Sequence, residues 1–184
     1  MIIYLDMDGV IADFFGGVAK KYGVDHWKSI QHRDIAFADL RNTDFFNTLD
    51  TFKEDDDKRT DRSFKIVNFL KKLVTTKKDL DWGINSSPLQ GDHYNSAFWK
   101  RLWLDKHDFI PPRLENLVFT TNKHKYAYNE ITRKPNILID DKPANISKWI
   151  KNGGIGIRFQ NNEDDIEEYL FPEIEHAITQ YKRP

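Results

Sequence analysis

The sequence lacks cysteine altogether, and this absence excludes disulfides, thiolate metal sites and a cysteine nucleophile. It also lacks any apolar run near the roughly 20 residues that a membrane-spanning helix needs. Met1 leads directly into a strand-like segment, whereas a secretion signal would be basic and then apolar. We therefore expect a cytoplasmic protein with no membrane partner.

The chain has no dominant sign of charge either. Its 28 basic and 29 acidic residues give a formal net charge of -1. No overall positive field attracts nucleic acid, so we expect a small diffusible substrate and no stable nucleic-acid partner. A length of 184 residues with 39% hydrophobic content suits one compact catalytic unit with a small appended subdomain. A homodimer is compatible with this composition.

Short apolar segments that end in polar residues recur along the chain and predict strands. These segments span residues 2–5, 80–84, 117–119, 136–139 and 155–159. Helical apolar spacing predicts helices at 64–73, 96–106 and 164–182, the last ended or kinked at Pro172. Because strands alternate with helices, the fold class is α/β, with a Rossmann-like parallel sheet flanked by helices.

Residues 14–61 depart from this alternation. The stretch is rich in aromatic residues and contains no clear strand, so we predict a small helical cap inserted after the first strand. The catalytic core then comprises residues 1–13 and 62–184.

Polar side chains that suit phosphate and metal chemistry follow four of the predicted strands. They are Asp6, Asp8, Ser86, Ser87, Lys123, Asp140 and Asp141. Ligands of parallel sheets bind at the carboxyl ends of the strands, so we expect these side chains to lie together. Crowded carboxylates repel and raise one another's pKa unless a cation lies between them. Hard oxygen ligands of this kind suit Mg²⁺, which is therefore the expected cofactor.

The motif Asp6-Met7-Asp8-Gly9-Val10 resembles the DxDGV signature of haloacid dehalogenase phosphatases. The segments DMDGVIADF at 6–14, SSP at 86–88 and IDDKP at 139–143 are similar to those of the 5'(3')-deoxyribonucleotidases. The resemblance covers the core to about Trp149 and is weak in the insertion. It implies a magnesium-dependent phosphomonoesterase that hydrolyses deoxyribonucleoside monophosphates to nucleoside and phosphate.

The resemblance also implies roles for the acidic residues. Asp6 is the nucleophile that forms an aspartyl-phosphate, and Asp8 is the general acid and base. Mg²⁺ is held by the Asp6 carboxylate, the Asp8 backbone carbonyl and Asp141, while Asp140 supports the site.

The polar and basic residues are assigned to the phosphate by the same resemblance. Ser86, with Ser87 beyond it, binds the phosphoryl group, and Lys123 neutralises its charge. Lys125 stays open as an alternative, because Lys123 lies further from Asp140 than the family pattern suggests. Lys100 falls where these nucleotidases place a lysine near the phosphate.

A cap after the first strand lies over the active site, where aromatic rings can stack on a nucleobase. Phe14 is the first candidate for base contact, followed by Phe45 and Phe46. The alternatives are a phosphatase of sugar phosphates or other metabolites, a 3'-phosphatase of nucleic-acid ends and a non-catalytic phosphate-binding module. Base preference and the choice between 5' and 3' phosphates stay open.

Overall fold

In the computed structural model of the protein, residues 1–53 and 61–181 are described. The strands β1–β7 span Ile2–Leu5, Asp81–Ser86, Leu117–Phe119, Tyr128–Asn129, Lys134–Pro135, Ile137–Asp140 and Ile155–Arg158. The helices α1–α6 span Phe14–Lys21, Arg33–Ala38, Arg62–Thr76, His93–Lys106, Pro143–Lys151 and Phe171–Tyr181.

The central sheet has five parallel strands in the order β3-β2-β1-β6-β7, which confirms the predicted fold class. All five predicted strands are present. Strands β2 and β6 extend beyond their predicted ends, so Ser86 and Asp140 are the last residues of strands rather than loop residues. The central strand β1 is buried on both faces, because Ile3 and Leu5 pack into one apolar cluster and Tyr4 packs into another.

Helix α3 shows how local sequence positions a helix on this sheet. Asp61 caps its N-terminus, and the carboxylate accepts hydrogen bonds from the amides of Ser63 and Phe64 at 2.9 and 3.2 Å. Its buried residues Ile66, Val67, Leu70 and Leu73 recur at helical spacing and form one apolar face. Each such side chain stabilises the fold by about 1.5–3 kcal/mol when fully buried.

The insertion is helical in its described part, residues 14–53. It contains α1, α2 and two 3₁₀ helices, Trp27–Ser29 and Phe45–Thr48, and no strand lies within this range. Asp13 begins it as the cap of α1, where its carboxylate accepts a hydrogen bond from the Gly16 amide at 2.9 Å. Residues 54–60 of the predicted cap lie outside the described residues, and the boundary between cap and core stays a prediction.

A short hairpin accounts for the long separation of Lys123 from Asp140. Strands β4 and β5 pair antiparallel, Tyr128 with Pro135 and Asn129 with Lys134, in the connection between β3 and β6. The sequence analysis did not anticipate these two-residue strands. The hairpin adds residues between the two positions without altering the parallel sheet.

The closing helix begins at Ile166 as one π-helical turn, Ile166–Leu170, and continues as α6. The change of helix type falls beside Pro172, which has no amide proton for the helical ladder. The helix therefore does not end at Pro172, and a kink at this residue stays a prediction. Among the described helices, none combines the length and the apolar character that crossing a membrane requires.

Candidate active site

The register of the sheet brings the end of β1 beside the ends of β2 and β6. Leu5 pairs with Ile84 on one side and with Ile139 on the other. The amide of Asp6 then donates a hydrogen bond to the carbonyl of Ile139 at 2.8 Å. Asp6 therefore lies next to Asp140, although the two residues are far apart in the sequence.

Residues 6–12 fold back on themselves directly after β1, and we call them the nucleophile loop because Asp6 is the predicted nucleophile. The carbonyl of Met7 accepts hydrogen bonds from the amides of Ile11 and Ala12, both at 2.9 Å. Gly9 has a φ of +77°, and a β-carbon there would lie 2.9 Å from Cγ of Asp141. Glycine is therefore required both by the backbone conformation and by the close approach of Asp141.

Lys123 lies between Asp6 and Asp140 and contacts both carboxylates. Its buried Nζ lies 2.8 Å from Oδ2 of Asp6 and 2.6 Å from Oδ2 of Asp140. Burial alone would lower the pKa of Lys123, but the Asp6 and Asp140 carboxylates outweigh burial and raise it. The lysine is thus held in its charged form. Lys125 lies in the same 3₁₀ helix but is exposed to solvent.

Asp140 is also held by groups that follow it in the chain. Its Oδ1 accepts a hydrogen bond from the Lys142 amide at 2.9 Å, and Nδ2 of Asn145 lies 3.1 and 3.0 Å from its two oxygens. Burial and the neighbouring Asp6 nevertheless raise the pKa of Asp140. These contacts hold the Asp140 carboxylate in place.

Three carboxylates of the site can share a cation. One oxygen each of Asp6, Asp140 and Asp141 lies within 4.8 Å of the others. Burial, followed by the charges of Asp6, Asp140 and Asp8, raises the pKa of Asp141 to about 8. Such a shift shows that the negative charge at this point is not fully compensated by the protein. The all-oxygen donor set and this uncompensated charge fit a hard divalent metal ion.

Asp8 points to a second buried lysine. Lys100 is fully buried, and its Nζ donates to Oδ2 of Asp8 at 2.7 Å, to Oγ of Ser86 at 3.0 Å and to the carbonyl of Ser87 at 2.8 Å. Burial raises the pKa of Asp8, and the nearby Lys100 only partly opposes this effect. The other carboxylate oxygen, Oδ1, is buried and has no hydrogen-bond partner among the described residues.

A cleft of about 650 Å³ opens between the sheet edge and the insertion. Asp6, Asp8, Ser87 and Asp141 line it together with aromatic side chains of the insertion, among them Phe14. Phe45 instead lines a separate cavity of about 270 Å³. Phe46 is buried with its ring centroid 4.8 Å from Nζ of Lys100. Base contact by any of these rings stays a prediction, and the cleft supports Phe14 best.

Several residues of the cleft were not among the sequence candidates. They are Phe15, Trp27, Phe52, Asn145, Gln160 and Asn162. Gln160 and Asn162 follow β7, so the rule that ligands bind at the carboxyl ends of strands could have identified them. The three aromatic residues carried no such signal, because helical spacing alone does not show which rings of the insertion face the cleft.

Comparison with protein families connects this geometry to known proteins. The family described as "5' nucleotidase, deoxy (Pyrimidine), cytosolic type C protein" matches residues 1–169. The chain belongs to this family. It is a hydrolase of the haloacid dehalogenase superfamily, a phosphatase of the nucleotidase type, and the predicted resemblance is confirmed. This membership favours an enzyme over a non-catalytic binding module. Comparison with curated proteins finds no match.

Proposed function

We propose that this nucleotidase is a magnesium-dependent phosphomonoesterase that hydrolyses deoxyribonucleoside monophosphates through an aspartyl-phosphate. The observation that carries the proposal is the separate pairing of Asp6 with Lys123 and of Asp8 with Lys100 at the edge of one cleft. Each carboxylate has a lysine of its own, so the nucleophile and the proton donor are positioned separately within one loop.

In the first step, a carboxylate oxygen of Asp6 forms a bond to phosphorus while the bond from phosphorus to the nucleoside oxygen breaks. Lys123 lies 2.8 Å from Oδ2 of Asp6, and the Met7 amide donates to Oδ1 at 2.7 Å. These two contacts orient the Asp6 carboxylate, which lines the cleft.

Asp8 supplies the proton that the departing nucleoside oxygen takes up. Its raised pKa favours the protonated form that a general acid requires, and Asp8 lines the cleft in which that oxygen would lie. In the second step, Asp8 accepts a proton from water as the water oxygen attacks phosphorus, and the bond to Asp6 breaks. The products are a nucleoside and inorganic phosphate.

Lys100, Ser86 and Ser87 bind the phosphoryl oxygens in this proposal. The Lys100 ammonium already donates to Asp8 and Ser86, so it lies between the proposed acid and the end of β2. Positive charge at this point stabilises the negative charge that the phosphoryl group carries in the transition state.

Asp6 and Asp141 would hold Mg²⁺ with their carboxylates, the Asp8 carbonyl would complete the protein ligands, and Asp140 would support them. When bound, the ion withdraws negative charge from the phosphoryl oxygens and relieves the repulsion among the carboxylates.

We further propose a pyrimidine deoxynucleotide as the substrate and the cytosol as the location, in line with the family description. The cleft of about 650 Å³ has acidic residues at one end and Phe14 at its wall, so a base can contact the aromatic ring while the phosphate lies at Asp6. Family membership favours this substrate over sugar phosphates and nucleic-acid 3'-phosphates.

Phosphate release from a panel of phosphomonoesters tests the proposal. The panel contains 5' and 3' deoxynucleotides, sugar phosphates and a 3'-phosphorylated oligonucleotide, each with Mg²⁺ and with a chelator. We expect hydrolysis of deoxynucleotides that stops without the metal. Activity on sugar phosphates alone contradicts the proposed substrate.

Substitution of the nucleophile tests the mechanism. Asp6→Asn removes the attacking carboxylate oxygen, and we expect its turnover to fall below about 10⁻³ of the unsubstituted rate. The exposed Asp105→Asn is the matched control and keeps full activity. Substantial turnover by Asp6→Asn, with phosphate released under the same conditions, refutes the covalent mechanism.

A further inference from the structure

The loop that follows β7 contacts the nucleophile loop through one buried asparagine. Asn161 has no exposed surface. Its amide nitrogen in the main chain donates to the carbonyl of Gly9 at 2.9 Å, and its side-chain Nδ2 donates to the carbonyl of Val10 at 2.7 Å. We propose that Asn161 is a positioning residue that holds the turn after Asp8, and with it the proton donor, in its reactive geometry.

The orientation of the Asn161 amide is determined by its two neighbours. Nε of Arg62 donates to Oδ1 of Asn161 at 2.7 Å, so the oxygen faces the arginine and the nitrogen faces Val10. An asparagine meets both demands because it carries one acceptor and one donor on a planar group. Aspartate has the same shape but lacks the donor.

The two carbonyls that Asn161 holds directly follow Asp8 in the chain. Gly9 also approaches Asp141 closely, since a β-carbon at Gly9 would lie 2.9 Å from Cγ of Asp141. A shift of this turn therefore moves the proton donor relative to the leaving oxygen. A misplacement of about 1 Å costs roughly 100-fold in rate when a catalytic group must meet a reacting atom.

Arg62 extends the same contact to the insertion. Its main-chain amide donates to the carbonyl of Phe52 at 2.8 Å, and Phe52 lines the cleft. Its Nη2 donates to the carbonyl of Asp164 at 2.6 Å. Arg62 therefore connects the insertion to the loop after β7. Through Asn161 in that loop, the nucleophile loop is positioned relative to both.

The experiment compares two leaving groups, and it rests on the proposed role of Asp8. A nucleoside oxygen needs a proton to depart, whereas 4-nitrophenolate departs without one. If Asn161 positions Asp8, Asn161→Asp lowers kcat about 10- to 100-fold for a deoxynucleoside monophosphate and clearly less for 4-nitrophenyl phosphate. The ratio of the two rates then changes by at least about fivefold, an effect that loss of folded protein does not produce.

Asn116→Asp is the matched control. Asn116 is also buried, and its Nδ2 donates to the carbonyl of Trp82 at 3.3 Å, near the start of β2 and away from the cleft. We expect Asn116→Asp to lower the melting temperature without changing the ratio of the two rates. Asn161→Ala, which keeps the main-chain hydrogen bond to Gly9, replaces Asn161→Asp if that variant does not fold.

An equal loss with both substrates, or no loss, overturns the positioning role of Asn161. Such a result leaves the proposed function intact, because the unsubstituted enzyme still hydrolyses deoxynucleotides and Asp6→Asn does not. An unsubstituted enzyme without phosphatase activity overturns both proposals together.

Discussion

Replacement of Lys123 by methionine tests the electrostatic structure of the site most directly. The substitution keeps much of the side-chain volume and removes one positive charge. It leaves Asp6, which is 6% exposed, and Asp140, which is 0% exposed, without the ammonium that lies within 2.8 and 2.6 Å of their oxygens. Two buried carboxylates then repel each other without compensation.

Removal of one partner from a buried ion pair costs about 3–5 kcal/mol of folding stability. For a chain of this size, 1 kcal/mol corresponds to roughly 2–4 °C in melting temperature, so a fall of about 6–20 °C is expected without metal. The loss depends on pH with a definite sign. Burial and Asp6 already raise the folded-state pKa of Asp140, and loss of Lys123 raises it further, so the variant is least stable at neutral pH and recovers toward about pH 4.

Urea unfolding at pH 5 and pH 8 in a chelator measures this effect, and phosphate release measures activity. We expect kcat/KM to fall by at least about 100-fold, since Lys123 also orients the nucleophile. Lys125→Met is the matched control, because Lys125 is an exposed lysine of the same 3₁₀ helix, and it should change stability by less than about 0.5 kcal/mol. Equal losses in the two variants, or an active Lys123→Met enzyme, refute the reasoning.

Two further predictions concern the metal and the base. Because the folded-state pKa of Asp141 is raised to about 8, the metal-free protein loses stability as pH rises from about 4 to 8. Asp141→Asn should lose part of this pH dependence, and at pH 8 in a chelator it should be more stable than the unsubstituted protein. Mg²⁺ should not stabilise the variant further. Urea unfolding at several pH values measures this, and an equal pH dependence in both proteins contradicts the prediction. Phe14→Leu should raise KM for deoxynucleotides several-fold with kcat within about twofold, whereas Phe45→Leu, in the smaller cavity, should change KM less. Steady-state kinetics measures KM for both variants, and equal KM values contradict the proposed contact of Phe14 with the base.

The order of motifs along the chain was enough to predict the sheet and the position of its acidic residues. Asp6, Asp140 and Asp141 follow apolar strands, and the ends of parallel strands meet at one edge whatever the details of packing. The prediction that these carboxylates lie close together is confirmed by their oxygens within 4.8 Å of one another. The alternation of strands with helices and the polar residues at strand ends depend on neighbouring residues in the chain, so the sequence alone predicts them.

Helix α4 shows what local patterns could not reveal. Its polar Ser96 and Lys100 are buried together with Trp103 and Leu104, while Tyr94 and Phe98 are 95% and 54% exposed, so polar and apolar residues do not separate onto two faces. Hydrophobic periodicity therefore could not orient this helix. Lys100 is buried because Asp8, Ser86 and Ser87 satisfy its ammonium from other parts of the chain.

The sequence by itself determined the α/β class, the strand-end acids and the family resemblance, because these depend on neighbouring residues in the chain. Only the tertiary structure decided that Lys123 rather than Lys125 meets Asp6 and that Asn161 holds the nucleophile loop. Contacts between residues so far apart in the chain depend on how helices rotate and loops return against the sheet. That information lies in the packing of the whole chain and in no single motif.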